Sequence, residues 1–203
     1  MKKDFTHVYI AKIPEKIGDT SNIFPIERRE YIENTKNADV RQARYYVWRL
    51  LDVAIKKCLG KDIKNLSFAV DGGRWSTPTC HISLSHGGGY AAVALSSGPV
   101  GVDIEPLTRP HAKNFAERIL TSSELKRYEK TAEREKESEL IRLWSKKEAI
   151  FKSLGKSAFM PQKIDTVAYL CEDRLLNTPD CELVLAIAHG ENIPPQIFEN
   201  TEI

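Results

Sequence analysis

Two carboxylates, Asp103 and Glu105, stand two positions apart in the short apolar run GVDIEPL, residues 101–107. If this run is a β-strand, its side chains alternate, so both acids point to one face while Val102 and Ile104 point into a core. Two neighbouring acids repel each other unless a Lys or Arg, a shared proton or a metal ion lies between them. A bridging surface lysine is the simplest of these explanations, and the motif alone leaves the others open.

A third acid, Glu148, lies in LWSKKEAIFK, residues 143–152. On a helix, residues three and four positions apart share a face, which predicts one continuous strip made of Trp144, Lys147, Glu148, Phe151 and Lys152. The strip is either an ordinary amphipathic face with a Glu148–Lys152 ion pair, or a charged cleft wall that faces Asp103 and Glu105. In the second case the three carboxylates form an oxygen-only site that suits Mg²⁺, and both lysines bind phosphates of the same ligand.

A candidate anion site lies in SLSH, residues 83–86, immediately before three glycines. On a strand, Ser83 and Ser85 share one face, and His86 stands at the strand end. The glycines let a ligand approach the backbone closely, which favours anion binding. A structural role for the histidine is the simpler alternative.

Arginines that could contact phosphate fall at three places in the first half of the sequence. Arg28 lies in one predicted helix, Arg41 and Arg44 lie near the start of the next, and Arg74 follows a glycine turn. Phosphate binding is favoured near a helix N-terminus, which singles out Arg41 and Arg44. For each arginine taken alone, a solvated surface charge is the simpler interpretation.

Hydrophobic periodicity predicts the elements that must position these residues. Strands are predicted at residues 7–13, 66–70, 80–86, 90–96, 100–106, 164–172, 174–178 and 181–190. Helices are predicted at residues 25–34, 39–60 and 113–120, with one or two more over 121–155; the expected capping or terminating residues are Asp39, Gly60, Ser122 or Ser123, and Gly155. Because each half contains strands and one long helix, we expect an α+β fold of two α/β subdomains, residues 1–100 and 101–203, with no flexible linker.

The composition is that of an ordinary globular protein: 203 residues, 41% hydrophobic and 29% charged, with a formal net charge of +2. So small a net charge gives no global attraction to nucleic acid or membrane, and an anionic ligand needs a local cluster of cations. No apolar stretch approaches the roughly 20 residues of a membrane span, and the N-terminus does not resemble a signal peptide. The four cysteines form no CxxC pair, so we expect reduced thiols rather than a zinc site, and a cytoplasmic location.

Taken together, SLSH, GVDIEPL and LWSKKEAIFK, in this order and spacing, resemble the motifs of the Sfp-type 4'-phosphopantetheinyl transferases. The family's WxxKEAxxK pattern is matched by Trp144, Lys147, Glu148, Ala149 and Lys152. Its GxDxE pattern is matched by Gly101, Asp103 and Glu105. The chain length is similar to that of the monomeric type, so the resemblance also implies a monomer.

The resemblance implies a pseudo-dimer of two similar halves, each a small, mostly antiparallel sheet on a long helix, with the active site between them. It implies coenzyme A as the donor, Mg²⁺ as the cofactor and an apo carrier protein as the partner. The acids that match the family's metal ligands are Asp103, Glu105 and Glu148. The residues that match or stand near its coenzyme A contacts are Ser85, His86, Lys152, Arg28, Arg41 and Arg74, the last in GGRWSTP, where the family often has Gly-Lys-Pro.

The implied reaction transfers 4'-phosphopantetheine from coenzyme A to a serine of an acyl or peptidyl carrier protein and releases adenosine 3',5'-bisphosphate. In it, Glu148 takes the serine proton, either directly or through a metal-bound water, and Lys152 stabilises the leaving phosphate. The segment 117–128 is a candidate docking surface for an acidic carrier, with Leu120 as an apolar contact beside Lys126 and Arg127. Two alternatives stay open: a metal-dependent nucleotide phosphohydrolase, and a non-catalytic coenzyme A-binding module.

Overall fold

The computed structural model describes residues 4–71, 74–108, 112–190 and 193–203. Its helices are α1 (Ile26–Glu33), α2 (Ala38–Leu59), α3 (Phe115–Ile119), α4 (Ser122–Tyr128) and α5 (Glu133–Ser153). Its strands are β1 (Thr6–Lys12), β2 (Ala69–Asp71), β3 (Arg74–Ser76), β4 (His81–Gly87), β5 (Tyr90–Ser96), β6 (Gly101–Pro106), β7 (Cys171–Asn177), β8 (Glu182–Ala188) and β9 (Gln196–Phe198).

Two sheets carry the core of the molecule. The first has the strand order β4-β5-β1-β9, in which β5 pairs antiparallel with β4 and β1, and β9 pairs parallel with β1. The second has the order β6-β8-β7 and is antiparallel throughout. Strands β2 and β3 form a separate hairpin. The turn at 97–99 therefore takes the chain from an inner strand of one sheet to the edge of the other, and does not close a β-hairpin.

The two sheets pack face to face between the two long helices. Every residue of β5 is buried, because Val93 and Leu95 pack towards α2 while Ala92 and Ala94 pack towards the second sheet. On its other face the second sheet contacts α5, where Ala186 packs with the helix. Burial of the strands on both faces is what their near-continuous apolar sequences require.

The α+β class predicted from the sequence is confirmed, and the strands at β1, β4, β5, β6 and β8 and the helices α1 and α2 fall where periodicity predicts them. Two strand predictions were wrong. The stretch 66–70 contributes only its last two residues to β2, and 164–170 holds a short 3₁₀ turn (Thr166–Ala168) instead of a strand. The pseudo-dimer and the division at residue 100 stay predictions; the last strand, β9, lies in the sheet of the first half.

The residues that cap the helices differ in part from those predicted. Asn37, and not Asp39, caps α2 by accepting a hydrogen bond from the backbone N–H of Val40, and Gly60 ends the helix in the left-handed region as predicted. Thr121, and not Ser122 or Ser123, caps α4 in a reciprocal capping box with Glu124. All four cysteines lie in the described part of the chain, and none of them is joined to another in a disulfide bond. No helix in that part is both long and apolar enough to cross a bilayer.

Gly101 lets α5 lie directly against β6. A methyl group on Gly101 would collide with the backbone carbonyl oxygen of Ala149 in α5, and a backbone atom cannot turn aside as a side-chain end can. The glycine of the GxDxE pattern therefore has a packing role, because it brings α5, and with it Glu148 and Lys152, close to the acids of β6.

We expect Gly101→Ala to lower the free energy of unfolding by roughly 1–3 kcal/mol or more, since α5 has to move away from β6. Gly98→Ala is the matched control, because the nearest atom to its added methyl lies 3.5 Å away, at ordinary contact distance. Urea denaturation of both variants measures the difference. Equal stability of the two variants would contradict this account of the helix–strand contact.

Candidate active site

Asp103 is the buried centre of the site, with a side chain only 3% exposed. Its Oδ1 accepts hydrogen bonds from Ser85 Oγ at 2.8 Å and from Lys152 Nζ at 2.8 Å. Its Oδ2 accepts a hydrogen bond from Ser145 Oγ at 2.7 Å. A buried carboxylate is costly unless it is paired and hydrogen-bonded, and this one has a cation and two hydroxyl donors from two other elements.

The serines of SLSH join the two sheets. Strands β4 and β6 are the facing edges of their sheets, and serine hydroxyls bond the β6 backbone there. Ser83 Oγ accepts from Val102 N–H at 2.9 Å, and Ser85 Oγ accepts from Ile104 N–H at 3.4 Å. The serines sit on one strand face as the alternation predicts. They satisfy donors that a strand partner would otherwise satisfy, and they hold β6 with its acids beside β4.

Lys152 is the cation that lies among the three predicted acids. Besides Asp103, its Nζ donates to the carbonyl oxygen of Val102 at 3.0 Å and lies 3.7 Å from Glu148 Oε2. Burial lowers the pKa of Lys152, but the charges of Asp103, Glu148 and Glu105 raise it by more, so the net shift is upward. Of the three ways to relieve the repulsion between neighbouring acids, the structure shows a lysine.

The same side chains fit a divalent cation in chemistry, though not in their present arrangement. Within the described residues, no three His, Cys, Asp or Glu side chains are placed to hold a metal ion. The donor set nevertheless suits Mg²⁺, because Asp103, Glu105 and Glu148 supply only oxygen atoms. The formal charges of these three carboxylates and the Lys152 ammonium sum to −2. The metal assignment stays a prediction.

A basic pocket of about 980 Å³ opens beside Lys152. Its cationic lining side chains are Arg28, Arg44, Arg74 and Lys152, and His86 lies on the same wall. Among the described lining residues there is no Asp or Glu. Cations that converge on a cavity without carboxylates to neutralise them favour a polyanionic ligand, and the volume is that of a typical site for a large small-molecule ligand.

Arg28 is the most deeply buried cation of this pocket, at 4% exposure. Its guanidinium lies over the rings of Trp48, at 4.7 Å, and Tyr31, at 5.3 Å, and it donates one hydrogen bond to the carbonyl oxygen of Arg44 at 2.8 Å. Within the described part of the chain it has no carboxylate partner, and its Nε makes no hydrogen bond. Burial lowers its pKa to about 10. A buried cation without a carboxylate partner among the described residues is costly, which makes Arg28 a candidate to bind an anionic ligand.

Arg74 and Arg44 also place their guanidinium groups against aromatic rings. The Arg74 guanidinium lies 4.2 Å from the ring centroid of Phe151, and its buried Nη1 has no hydrogen-bond partner among the described residues. The Arg44 guanidinium lies 4.3 Å from the ring of Tyr31. Desolvation in the pocket, together with the nearby charges of Lys152 and Arg44, lowers the pKa of His86. At neutral pH His86 is therefore a hydrogen-bonding group and adds no charge to the pocket.

Comparison with known proteins identifies the second half of the chain. Residues 99–178 match the family model of the 4'-phosphopantetheinyl transferase superfamily. A 4'-phosphopantetheinyl transferase of Bacillus subtilis is 29% identical over 116 residues, which are 55% of this chain and 51% of that protein. The 4'-phosphopantetheinyl transferase Sfp of Bacillus subtilis strain 168 is 32% identical over 84 residues. The 4'-phosphopantetheinyl transferase psf-1 of Bacillus pumilus is 35% identical over 79 residues. The match to Sfp covers 41% of this chain and 37% of Sfp, and the match to psf-1 covers 39% of this chain and 34% of psf-1.

Residues 99–178, which contain the acid motifs, are thus similar to the 4'-phosphopantetheinyl transferase superfamily. The resemblance stated from the motifs is thereby confirmed. The chain spans about half or less of the length of the curated relatives it matches. The matched region contains β6, α5 and β7, and so includes the three acids and Lys152.

The structure brings together five of the six residues predicted for coenzyme A, since Arg28, Arg74, Ser85, His86 and Lys152 all line the basic pocket. The sixth, Arg41, is not among the lining residues. Arg44, one turn further along α2, lines the pocket in its place. The sequence placed both arginines near the helix start, but only the packing of α2 against α1 selects which of them points to the cavity.

Lys147 does not join the phosphate site that the sequence suggested for both lysines. Its side chain is fully buried, and its Nζ lies 2.6 Å from Glu124 Oε2 and donates to the carbonyl oxygens of Pro161, at 3.0 Å, and Ile164. Neighbouring helix residues point about 100° apart, so Lys147 faces Glu124 of α4 while Glu148 lies beside Lys152. The adjacent Lys147 and Glu148 of the WxxKEAxxK pattern therefore have different surroundings, one in the buried interior and one beside Lys152.

Glu124 is the buried anion that this lysine needs. Burial raises the pKa of Glu124, but the Lys147 ammonium and the N–H groups of Thr121 and Thr166 lower it by more. Glu124 was missed as a buried residue, although the T-x-x-E capping signature, Thr121 to Glu124, was available in the sequence. Ser145 was also missed; its position three residues before Glu148 on the helix is the signal that could have identified it.

The docking surface predicted for 117–128 loses its apolar contact. Leu120 is 3% exposed and packs in a cluster with Ala116 and Leu140, so it is not available to a partner. Lys126 and Arg127 are exposed as predicted. A cationic surface at α4 therefore stays a prediction, without Leu120.

We expect Glu124→Ala to lower the free energy of unfolding by about 3–5 kcal/mol, because it leaves the Lys147 ammonium buried without its anion. Adding Lys147→Met to that variant should restore part of the loss, since no unpaired charge then remains. Denaturant titrations of the two single variants and the double variant give the coupling between the residues. Additive losses would mean that the two side chains do not act as a pair.

Proposed function

We propose that this protein transfers the 4'-phosphopantetheine group from coenzyme A to a serine hydroxyl of an apo acyl or peptidyl carrier protein, releasing adenosine 3',5'-bisphosphate. The observation that carries the proposal is the basic pocket without lining carboxylates, which opens onto a lysine surrounded by three acids. Coenzyme A carries a pyrophosphate and a 3'-phosphate, so it needs such a local cluster of cations beside a site for a divalent ion. The similarity of residues 99–178 to the 4'-phosphopantetheinyl transferase superfamily supports the same reaction.

In the proposed reaction the pocket arginines bind and orient the donor. Arg28, Arg44 and Arg74 hold its phosphates, and the pyrophosphate lies towards Lys152. Asp103, Glu105 and Glu148 would hold Mg²⁺, which supplies charge neutralisation on the pyrophosphate when bound. Glu148 has a side chain 27% exposed, so it is open to an acceptor in a way that buried Asp103 is not.

The group transfer exchanges one phosphorus–oxygen bond for another. The serine oxygen of the carrier forms a bond to the phosphorus on the pantetheine side, and the bond from that phosphorus to the bridging oxygen breaks. The bonding electron pair leaves with adenosine 3',5'-bisphosphate. Glu148 accepts the serine proton, and the Lys152 ammonium stabilises the charge that develops on the leaving phosphate.

The two alternatives differ in their products. A nucleotide phosphohydrolase would release the same bisphosphate without a carrier, and a binding module would release nothing. Mass spectrometry of apo carrier proteins incubated with the protein, coenzyme A and Mg²⁺ separates the three, because only the transferase adds one phosphopantetheine to the carrier.

We expect Asp103→Ala and Glu148→Ala each to lower the transfer rate by roughly 10²–10³-fold or more, since each removes a carboxylate from the reacting centre. Glu129→Ala, an exposed carboxylate at the end of α4, is the control and should keep the rate. The rate is measured as holo-carrier formed per unit time at fixed Mg²⁺. Near-normal rates in both site variants would remove these acids from the reaction.

We expect Arg44→Ala to weaken coenzyme A binding by roughly 10–100-fold, the loss of one charge-assisted hydrogen bond. Arg41→Ala should change it by less than about twofold, because Arg41 lies on the same helix but outside the pocket lining. Calorimetric titration with coenzyme A gives both dissociation constants. A larger effect at Arg41 than at Arg44 would show that the donor does not occupy this pocket.

A further inference from the structure

We propose that Lys152 occupies the cation position at Asp103 and has to leave it before a divalent ion binds there, so that one side chain passes from the carboxylate to the phosphate of the donor. This inference rests on the proposed function for the identity of the donor. It concerns the order in which the site assembles, which the reaction itself does not specify.

The contacts of Asp103 leave little room for another cation. A carboxylate oxygen has two lone-pair directions, and Oδ1 already accepts from both Ser85 and Lys152. Oδ2 accepts from Ser145, which is fully buried. A metal ion that binds Oδ1 must therefore replace one of these donors.

Lys152 is the donor that can move. Ser85 is buried on β4 and accepts a hydrogen bond from the N–H of Ile104, and Ser145 is fully buried with a short side chain. Lys152 instead carries its ammonium on a flexible four-carbon stem, and its side chain is 23% exposed. It already lines the basic pocket, so rotation of the stem brings the ammonium to a phosphate without any change in the backbone.

Charge balance gives the direction of the exchange. While Lys152 is at Asp103, it offsets part of the repulsion among Asp103, Glu105 and Glu148. A divalent ion in the same place would offset more of that repulsion, and it would repel the ammonium. A phosphate in the pocket gives the displaced ammonium a new anionic partner. Metal and donor should therefore strengthen each other's binding, since each favours the position of Lys152 that the other needs.

The chain supplies its own controls for a labelling experiment with Mn²⁺ alone. Acetic anhydride modifies accessible lysine amines, and mass spectrometry reports the modification at each lysine. Lys147, fully buried against Glu124, should stay unmodified throughout, and exposed Lys156 should be modified throughout. Modification of Lys152 should rise severalfold at saturating Mn²⁺, because its ammonium is released from Asp103.

A binding measurement tests the same exchange from the side of the metal. We expect Lys152→Met to bind Mn²⁺ about 10-fold or more tightly than the unaltered protein, with Lys156→Met unchanged. Unchanged labelling of Lys152 at saturating Mn²⁺, or equal or weaker Mn²⁺ binding by Lys152→Met, would overturn the exchange. Because the labelling uses the unaltered protein, it decides the matter even if Lys152→Met fails to fold.

The carrier assay separates the two proposals. If the protein modifies a carrier but Lys152 labelling does not respond to Mn²⁺, the exchange is wrong and the transferase stands. If labelling responds to Mn²⁺ but no carrier is modified, the exchange stands and the proposed donor and reaction are wrong. If Mn²⁺ binds neither the unaltered protein nor Lys152→Met, the exchange fails together with the metal assignment.

Discussion

The ion pair between Lys152 and Asp103 is the contact on which the site depends. It joins the last turn of α5 to the middle of β6, two elements about 50 residues apart, inside the protein. Burial strengthens the attraction and also raises the cost of leaving either group unpaired. The arrangement therefore depends on the positions of α5 and β6 and of the Ser85 and Ser145 hydroxyls, which donate to Asp103.

The seam between β4 and β6 makes that geometry available. Where the edge strands β4 and β6 of the two packed sheets meet, backbone N–H groups of β6 would lack strand partners, and the hydroxyls of Ser83 and Ser85 satisfy two of them. Ser85 also donates to Asp103, so one hydroxyl serves both the strand and the carboxylate. Gly101 contributes on the other side by allowing α5 to approach β6. Structure and site are thus built from the same short motifs.

The charges of the basic pocket are not paired within the described residues that line it, unlike the Lys152–Asp103 pair of the acid cluster. Its arginines lie against aromatic rings, which support the guanidinium groups without neutralising them. Lys147, in contrast, is matched with a carboxylate and withdrawn from solvent. The pocket arginines and Lys147 thus differ in whether the described part of the chain supplies a buried carboxylate as a partner.

Much of the fold could be predicted because its signals are local. Alternation gave β5 and β6, the 3.6-residue period gave α2, and Gly60 gave its end. The short stretch 164–170 could not be assigned in this way, because its apolar residues suit a strand but its backbone is fixed by contacts with Glu124 and Lys147. Local sequence pattern does not predict the secondary structure of a segment whose backbone conformation depends on hydrogen bonds to distant side chains.

The sequence by itself determined the chemistry of the site: three acids on a strand and a helix, a lysine one turn from Glu148, and two serines sharing a strand face. Those features depend only on spacing along one element, which periodicity determines. The tertiary structure alone decided that Lys152 contacts Asp103 while Lys147 does not, that Arg44 reaches the pocket in place of Arg41, and that Leu120 is buried. Each of these depends on which face of a helix meets which neighbour, and burial of apolar surface across the whole chain determines that orientation.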